Sequence, residues 1–297
     1  MLKKYLRKGG NSSIRDLANY QALIKRSVLL CFGLSFLFRS YSSTLNFQME
    51  NPSFQISGGD FLTSLYNYFG INYFVFEHPI YSIVFTVLLF IFWILSFVSP
   101  NKKAIPILFY IFFLIYAIGF NSNMGFLSSY LKGFIIIGFI FFVISPINFN
   151  LMWEGLRYYA CWIYFSAFLW KFIHRAMFMP RFGEMSFKDN FSWYIFTNPD
   201  SILSKFYLFC IEHPWILNIG DKLVFLFEGL YFIGFFTKKY DAFLGWAIVG
   251  LHLFLYFFSD TLFVEIWVLG LLFISKSQWS SFSQFTKTLH KYLPNFS

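Results

Sequence analysis

Residues 79–98 read PIYSIVFTVLLFIFWILSFV. No side chain in this run carries a charge. A helix crossing the hydrocarbon core of a bilayer needs roughly 17 to 25 mostly apolar residues, and this run meets that length. The rest of the chain agrees with it. Of 297 residues, 58% are apolar and 25% aromatic, and only 12% are charged. A soluble domain carries about a quarter charged residues. The 47 phenylalanines exceed what a soluble core of this size takes in. The class is therefore an all-α, polytopic integral membrane bundle.

Eight predominantly apolar runs lie along the chain, near 24–42, 79–98, 104–120, 127–145, 157–174, 222–236, 242–258 and 261–275, the sixth and eighth of them short. Orientation follows from the Lys/Arg content of the short connections. Lys3, Lys4, Arg7, Lys8, Arg15, Lys25 and Arg26 put the N-terminal segment in the cytoplasm. Eight spans then return Lys102–Lys103, Lys238–Lys239 and the tail with Lys276, Lys287 and Lys291 to the same side. The opposite side receives Glu50, Asp60, Glu77 and Asp260. The expected layout is a basic segment at 1–23, a membrane domain at 24–275 and a cytoplasmic tail at 276–297. The formal charge of +9 then acts as a topology signal that meets anionic lipid, and nucleic acid is not an expected partner. The first apolar run lacks a small-residue cleavage site and reads as a retained helix.

Two outer segments are long, at 43–78 and 175–221. The first has a Gly-Gly-Asp turn, then Phe61, Leu65, Tyr68 and Phe69, a pattern suited to lying at the interface. The second is aromatic and balanced in charge. Its NPDSILSKFYLFCIEHP reads as a short helix capped by Asp200 or Ser201 and stopped by Pro214. An interfacial hairpin over the bundle is expected there.

Ionisable groups inside spans are costly, about 2.5–3.5 kcal/mol on insertion scales, and they tend to face a cavity or a partner. Here they are Arg39, Lys132, Lys171, His174, Glu228, His252 and Glu265. In the eight-span topology Arg39, Lys171, His174, Glu228, His252 and Glu265 share the outer half, near Asn121 and Asn123. Two readings of Lys171, in SAFLWKFIHR (166–175), stand: a headgroup anchor, or a base in a membrane-embedded site. Glu228, in FLFEGLYFIGFF, requires a partner or a proton. His252 suits a helix–helix hydrogen bond or a ligand contact, with Tyr256 one turn on. The histidines lack metal-ligand spacing, so no metal site is expected. Cys31, Cys161 and Cys210 form no CxxC and no disulfide framework.

YFSAFLWKFIHRAMF, FLFEGLYFIGFF and GWAIVGLHLFLYFF, in that order, resemble the horizontally transferred transmembrane (HTTM) domain. This is the membrane part of vitamin K-dependent gamma-carboxylases and their bacterial relatives. The family pattern of tyrosine, small residue and lysine, then glutamate, then histidine falls here on Tyr164, Ala167, Lys171, Glu228 and His252. The resemblance implies that Lys171 is a catalytic base tuned by Glu228 and His252. It places Tyr164 at the substrate and points to a quinone or hydroquinone as cofactor; the shared depth of Arg39, Asn121, Asn123 and His174, and the position of Tyr256 one turn past His252, make these the further candidate substrate-binding residues. Where the carboxylases carry an Asn-His pair, this chain has Asn121 and Asn123 without a histidine, and the resemblance does not extend to their β-rich domain. The branch of similar length resembles the sporulation-delaying protein B group, implicated in maturing an exported peptide. A bacterial inner-membrane enzyme or maturation factor is the expected function. A non-catalytic scaffold or accessory subunit for a partner protein, with Lys171–Glu228 as a structural ion pair, is the other.

Overall fold

The structure, a computed structural model, describes residues 11–41, 43, 45–49, 61–123, 131–179, 181–259, 264–275 and 277–279. The expected turn at 58–60, the beginnings of the fourth and eighth expected spans, residues 1–10 of the basic N-terminal segment and most of the tail lie outside the described residues. The described chain is helical, with no strand among the described residues. The helices are α1 (Asn11–Tyr41), α2 (Phe61–Tyr68), α3 (Pro79–Val98), α4 (Ala104–Asn123), α5 (Lys132–Ile137), α6 (Pro146–Ile173), α7 (Phe182–Thr197), α8 (Ile202–Glu212), α9 (Pro214–Leu230) and α10 (Asp241–Ser259). Short tighter or looser helical segments lie between several of them, including Tyr73–Glu77, Gly138–Phe142 and Tyr231–Phe235, and a ten-residue 3₁₀ segment, Val264–Phe273, follows α10.

Among the described residues, three runs are long and apolar enough to cross a membrane: Asp16–Gln48, Pro79–Val98 and Ala104–Asn123. Their length and composition mark a membrane protein. The runs Lys132–Phe142 and Asp241–Leu255 are apolar but shorter. In α3, Ile80, Ile83, Val87, Ile91, Ile94 and Val98 are all exposed. A soluble helix does not present such a stripe to water, but a lipid-facing helix presents it to hydrocarbon.

The chain divides into two compact units, residues 1–154 with 275–297, and residues 155–274. In the first unit, α1 buries Ile24, Val28, Phe32, Phe36 and Arg39 along one stripe. Phe32 anchors it, with its ring edge-on to Phe109 and Phe113 and tilted on Phe134, at centroid distances of 5.2, 4.6 and 4.1 Å. Lipid is as apolar as these side chains, so helix association here rests on close packing and on interhelical hydrogen bonds. Each such aromatic pair adds about 0.5–1.5 kcal/mol. Gly33 lets α1 and α3 approach closely, since a Cβ there would stand 2.2 Å from the Trp93 ring. The Trp93 indole N–H then donates to the Leu29 carbonyl at 2.7 Å.

Cationic and amide side chains of α1 close the ends of other helices. Arg26 donates to the Phe97 and Val98 carbonyls at the end of α3. Gln21 and the buried Lys25 both donate to the Val143 carbonyl, at 2.9 and 3.0 Å. These carbonyls have no partner within their own helix and need one in a membrane.

The second unit contains the rest of α6 and α7 to α10. The helix expected near 199–214 is α8, and Ser201 is its cap, its Oγ accepting from the Ser204 N–H at 3.0 Å. Pro214 does not simply end it. It occupies the first turn of α9, where its missing N–H is unneeded. Phe187 and Phe191 of α7, Tyr207 and Cys210 of α8 and Leu217 of α9 make a small buried core. Burial pushes the Cys210 thiol above the usual thiol range. The stretch from α7 to the start of α9 is therefore a packed helical hairpin.

Candidate functional site

Tyr164 and Lys171 lie seven residues apart on α6, so they share a face. α9 crosses that face closely. A Cβ on Gly229 would meet the Phe168 ring at 3.0 Å, and Phe168 lies on Phe225 with centroids 4.3 Å apart. This approach brings Glu228 onto Lys171. The ammonium donates to both carboxylate oxygens, at 2.7 and 2.8 Å. The Glu228 side chain is 9% exposed and that of Lys171 27%. The pair is thus half-sheltered, with the carboxylate inside and the cation toward the opening.

One turn beyond Glu228, Tyr231 stacks on Tyr164 with centroids 4.4 Å apart. Its hydroxyl donates to the Leu244 carbonyl of α10 at 2.7 Å. The Tyr164 hydroxyl and His252 Nε2 share a buried hydrogen bond of 2.9 Å. Tyr164, Lys171, Glu228 and His252 are therefore joined pairwise across three helices. Asp221 lies seven residues before Glu228 on α9 and on the same face. α7 packs against that stretch through Gly183, whose Cβ would stand 2.6 Å from the Leu217 carbonyl oxygen.

An apolar cavity of about 380 Å³ opens between α9 and α10. Its walls include Leu223, Val224, Phe227, Phe243, Trp246 and Gly250. Its lining includes Phe227 and Leu251, the chain neighbours of Glu228 and His252, but not Tyr164, Lys171, Glu228 or His252 themselves.

The other expected site residues are distributed differently. His174 is exposed beyond the end of α6, with its ring stacked on Trp170 at 4.4 Å and its Nδ1–H donating to the Trp170 carbonyl. It caps the helix it follows. Tyr256 lies on the α10 backbone one turn past His252, and its side chain is outside the described residues. Arg39, Asn121 and Asn123 belong to the first unit. There Arg39 is buried with its guanidinium 4.1 Å from the centre of the Phe120 ring. Asn123 is buried and donates to Asn72 Oδ1 at 2.9 Å. Among the described residues no group of three His, Cys, Asp or Glu side chains is placed to hold a metal ion.

Sequence reasoning does not single out Arg157. It is the largest fully buried side chain of the molecule and pairs two-pronged with Asp241, its Nε donating to Oδ2 at 2.8 Å and its Nη2 to Oδ1. Nη2 also donates to the Thr237 carbonyl. The available signal was an arginine at the start of the fifth expected span, with an aspartate just before the seventh.

No protein-family model matches the chain, and no curated protein or solved structure does either.

Proposed function

We propose that the chain is an HTTM-like integral protein of a bacterial inner membrane, with eight spans and both termini in the cytoplasm. Its outward-facing polar site, built on Lys171, Glu228, Tyr164 and His252, acts on a quinol-like lipid or an exported peptide. One observation carries this reading. Lys171 commits two of its three N–H donors to Glu228, and the third has no partner among the described residues. An ammonium so placed offers a donor to a substrate oxygen while Glu228 stands ready to accept a proton from it. The adjoining apolar cavity suits the hydrocarbon part of a lipid-soluble substrate. Tyr164 and His252 hold the floor of the site, each fixing the other's orientation.

The bidentate contact also favours a second reading, a non-catalytic scaffold or accessory subunit that uses Lys171–Glu228 as a structural pair. The first test is thermal unfolding of the purified protein in detergent, with and without a short-chain quinone or hydroquinone. The enzyme reading expects the ligand to raise the melting temperature of the wild type, and Lys171→Ala to fold without that rise. Removing a partner from a half-exposed pair costs about 1–3 kcal/mol, less than for a fully buried one. If Lys171→Ala unfolds and the wild type ignores the ligand, the scaffold reading replaces it. The exchanged variant Lys171→Glu with Glu228→Lys separates the two further: recovery of folding without recovery of the ligand response assigns chemistry to the lysine.

A further inference from the structure

The last turn of α4 carries a second polar cluster, in the first unit and apart from the residues just described. Gly119, Ser122 and Asn123 stand at spacings of three and four, on one face of the helix. Three groups from the preceding outer segment pack on that face. The Tyr66 hydroxyl lies against Gly119, where a Cβ would stand 2.2 Å from it. Asn67 Nδ2 donates to Ser122 Oγ at 3.2 Å. Asn72 accepts from Asn123 Nδ2 at 2.9 Å and donates its own Nδ2 to Glu77 Oε1 at 2.8 Å. Tyr66, Asn72, Ser122 and Asn123 are all at most 5% exposed.

Glu77 sets the direction of this chain. A carboxylate only accepts, so Asn72 turns its amide nitrogen to Glu77 and its oxygen to Asn123. Asn123 must then donate to Asn72, and its own oxygen is left facing outward from the chain. Asn123 Oδ1, Asn67 Oδ1 and the Tyr66 hydroxyl are buried and have no hydrogen-bond partner among the described residues. Buried polar atoms seldom stay that way, because each forfeits its hydration. Two amide oxygens and a phenol oxygen thus lie along the contact of α2 with the last turns of α4, the phenol against Gly119 and the Asn67 amide against Ser122, beside Asn123. Burial, with the charge of Glu77, pushes the Tyr66 phenol above its ordinary range, so it is a neutral oxygen ligand.

Carbonyl and hydroxyl oxygens suit hard cations. The charge nearby selects among them. One carboxylate, Glu77, acts through Asn72, while Arg39 adds a positive charge on Phe120, one turn before Asn123. Calcium and magnesium sites bring carboxylates into direct contact with the ion, and among the described residues this cluster brings none. We propose that Tyr66, Asn67 and Asn123 hold a monovalent alkali cation, with Glu77 orienting the site through Asn72.

The test uses the purified full chain in detergent. Thermal unfolding is followed in sodium chloride, potassium chloride and choline chloride at equal ionic strength, and saturable binding of radiolabelled sodium, or of rubidium as the potassium tracer, is measured beside it. The expected result is a saturable rise in melting temperature with sodium or potassium over choline, matched by tracer binding. Asn67→Ala removes one oxygen together with the bond to Ser122, so it is expected to melt somewhat below the wild type in choline, and the readout is its cation dependence rather than its basal melting point. It should raise the cation concentration needed for half the shift by about tenfold. Asn123→Ala should abolish tracer binding. Identical melting in the three salts with no saturable tracer binding means that the oxygens serve only water, and overturns the proposal. So does tracer binding that survives in both variants.

Discussion

At the residue scale, the two buried charge pairs differ in kind. The cation of Lys171–Glu228 is 27% exposed, whereas Arg157 is 2% exposed and its partner Asp241 12%. An enclosed pair is worth little net, because desolvation offsets attraction, but half of one is very costly. Arg157→Met alone should therefore cost about 3–5 kcal/mol, because it strands a buried carboxylate. The double variant Arg157→Met with Asp241→Leu should regain most of that loss. Thermal unfolding of the three proteins in detergent checks both statements, and a double variant no more stable than the single one would show that the pair does more than neutralise itself. Tyr164–His252 is a neutral bond by comparison. Tyr164→Phe should cost about 1–3 kcal/mol for the His252 nitrogen left without its partner, read in the same assay.

At the element scale, α7 is tied by charges in its first turns. Glu184 accepts from Lys188 at 2.8 Å and pairs with Arg181 at 3.3 Å. Lys188, by hydrogen bond and charge, and then Arg181 hold the Glu184 carboxyl below the usual carboxylate range. A depressed carboxylate stabilises the fold above its unfolded-state pKa, and that contribution fades as pH falls through the folded value. Acidification below the ordinary glutamate range should therefore loosen α7 before the rest of its hairpin, while neutral and mildly alkaline pH leaves it unchanged. Amide hydrogen exchange of the 182–197 segment at pH 7 and at acid pH reads this directly. In Glu184→Gln the segment should exchange faster at pH 7 and respond less to acid.

At the scale of the whole molecule, the decisive quantity is the number of crossings. Three runs qualify on length and composition among the described residues, and the eight-span topology is the arrangement in which every basic loop falls on one side. Cysteines placed at Lys102 and Lys238 should resist a membrane-impermeant maleimide in intact cells and react after permeabilisation. A cysteine at Asn198, in the turn between α7 and α8, should react in both. Labelling of Lys102 and Asn198 positions alike in intact cells would remove the eight-span topology and, with it, the shared outward face of the site.

Much of this architecture was legible along the chain. A run such as 79–98 has no charge to hide, so its environment follows from transfer energetics alone, and α3 ends within it at both sides. The Ser201 cap and the stop before Pro214 were equally local, because caps depend on side chains a turn away. Lys171 and Glu228 stood out because charge in an apolar run is rare, and the structure joins them. What the sequence by itself determined is thus what depends on neighbours within about one or two turns: solvent, span and cap. Only the tertiary structure decided that Lys171 spends its charge on Glu228, that Arg157 finds Asp241 84 residues away, and that Glu77 sets the direction of the Asn72–Asn123 chain. Those outcomes depend on which helices approach, and that depends on small residues such as Gly33 and Gly229 that admit a facing ring. No periodicity along a single helix records which ring that will be.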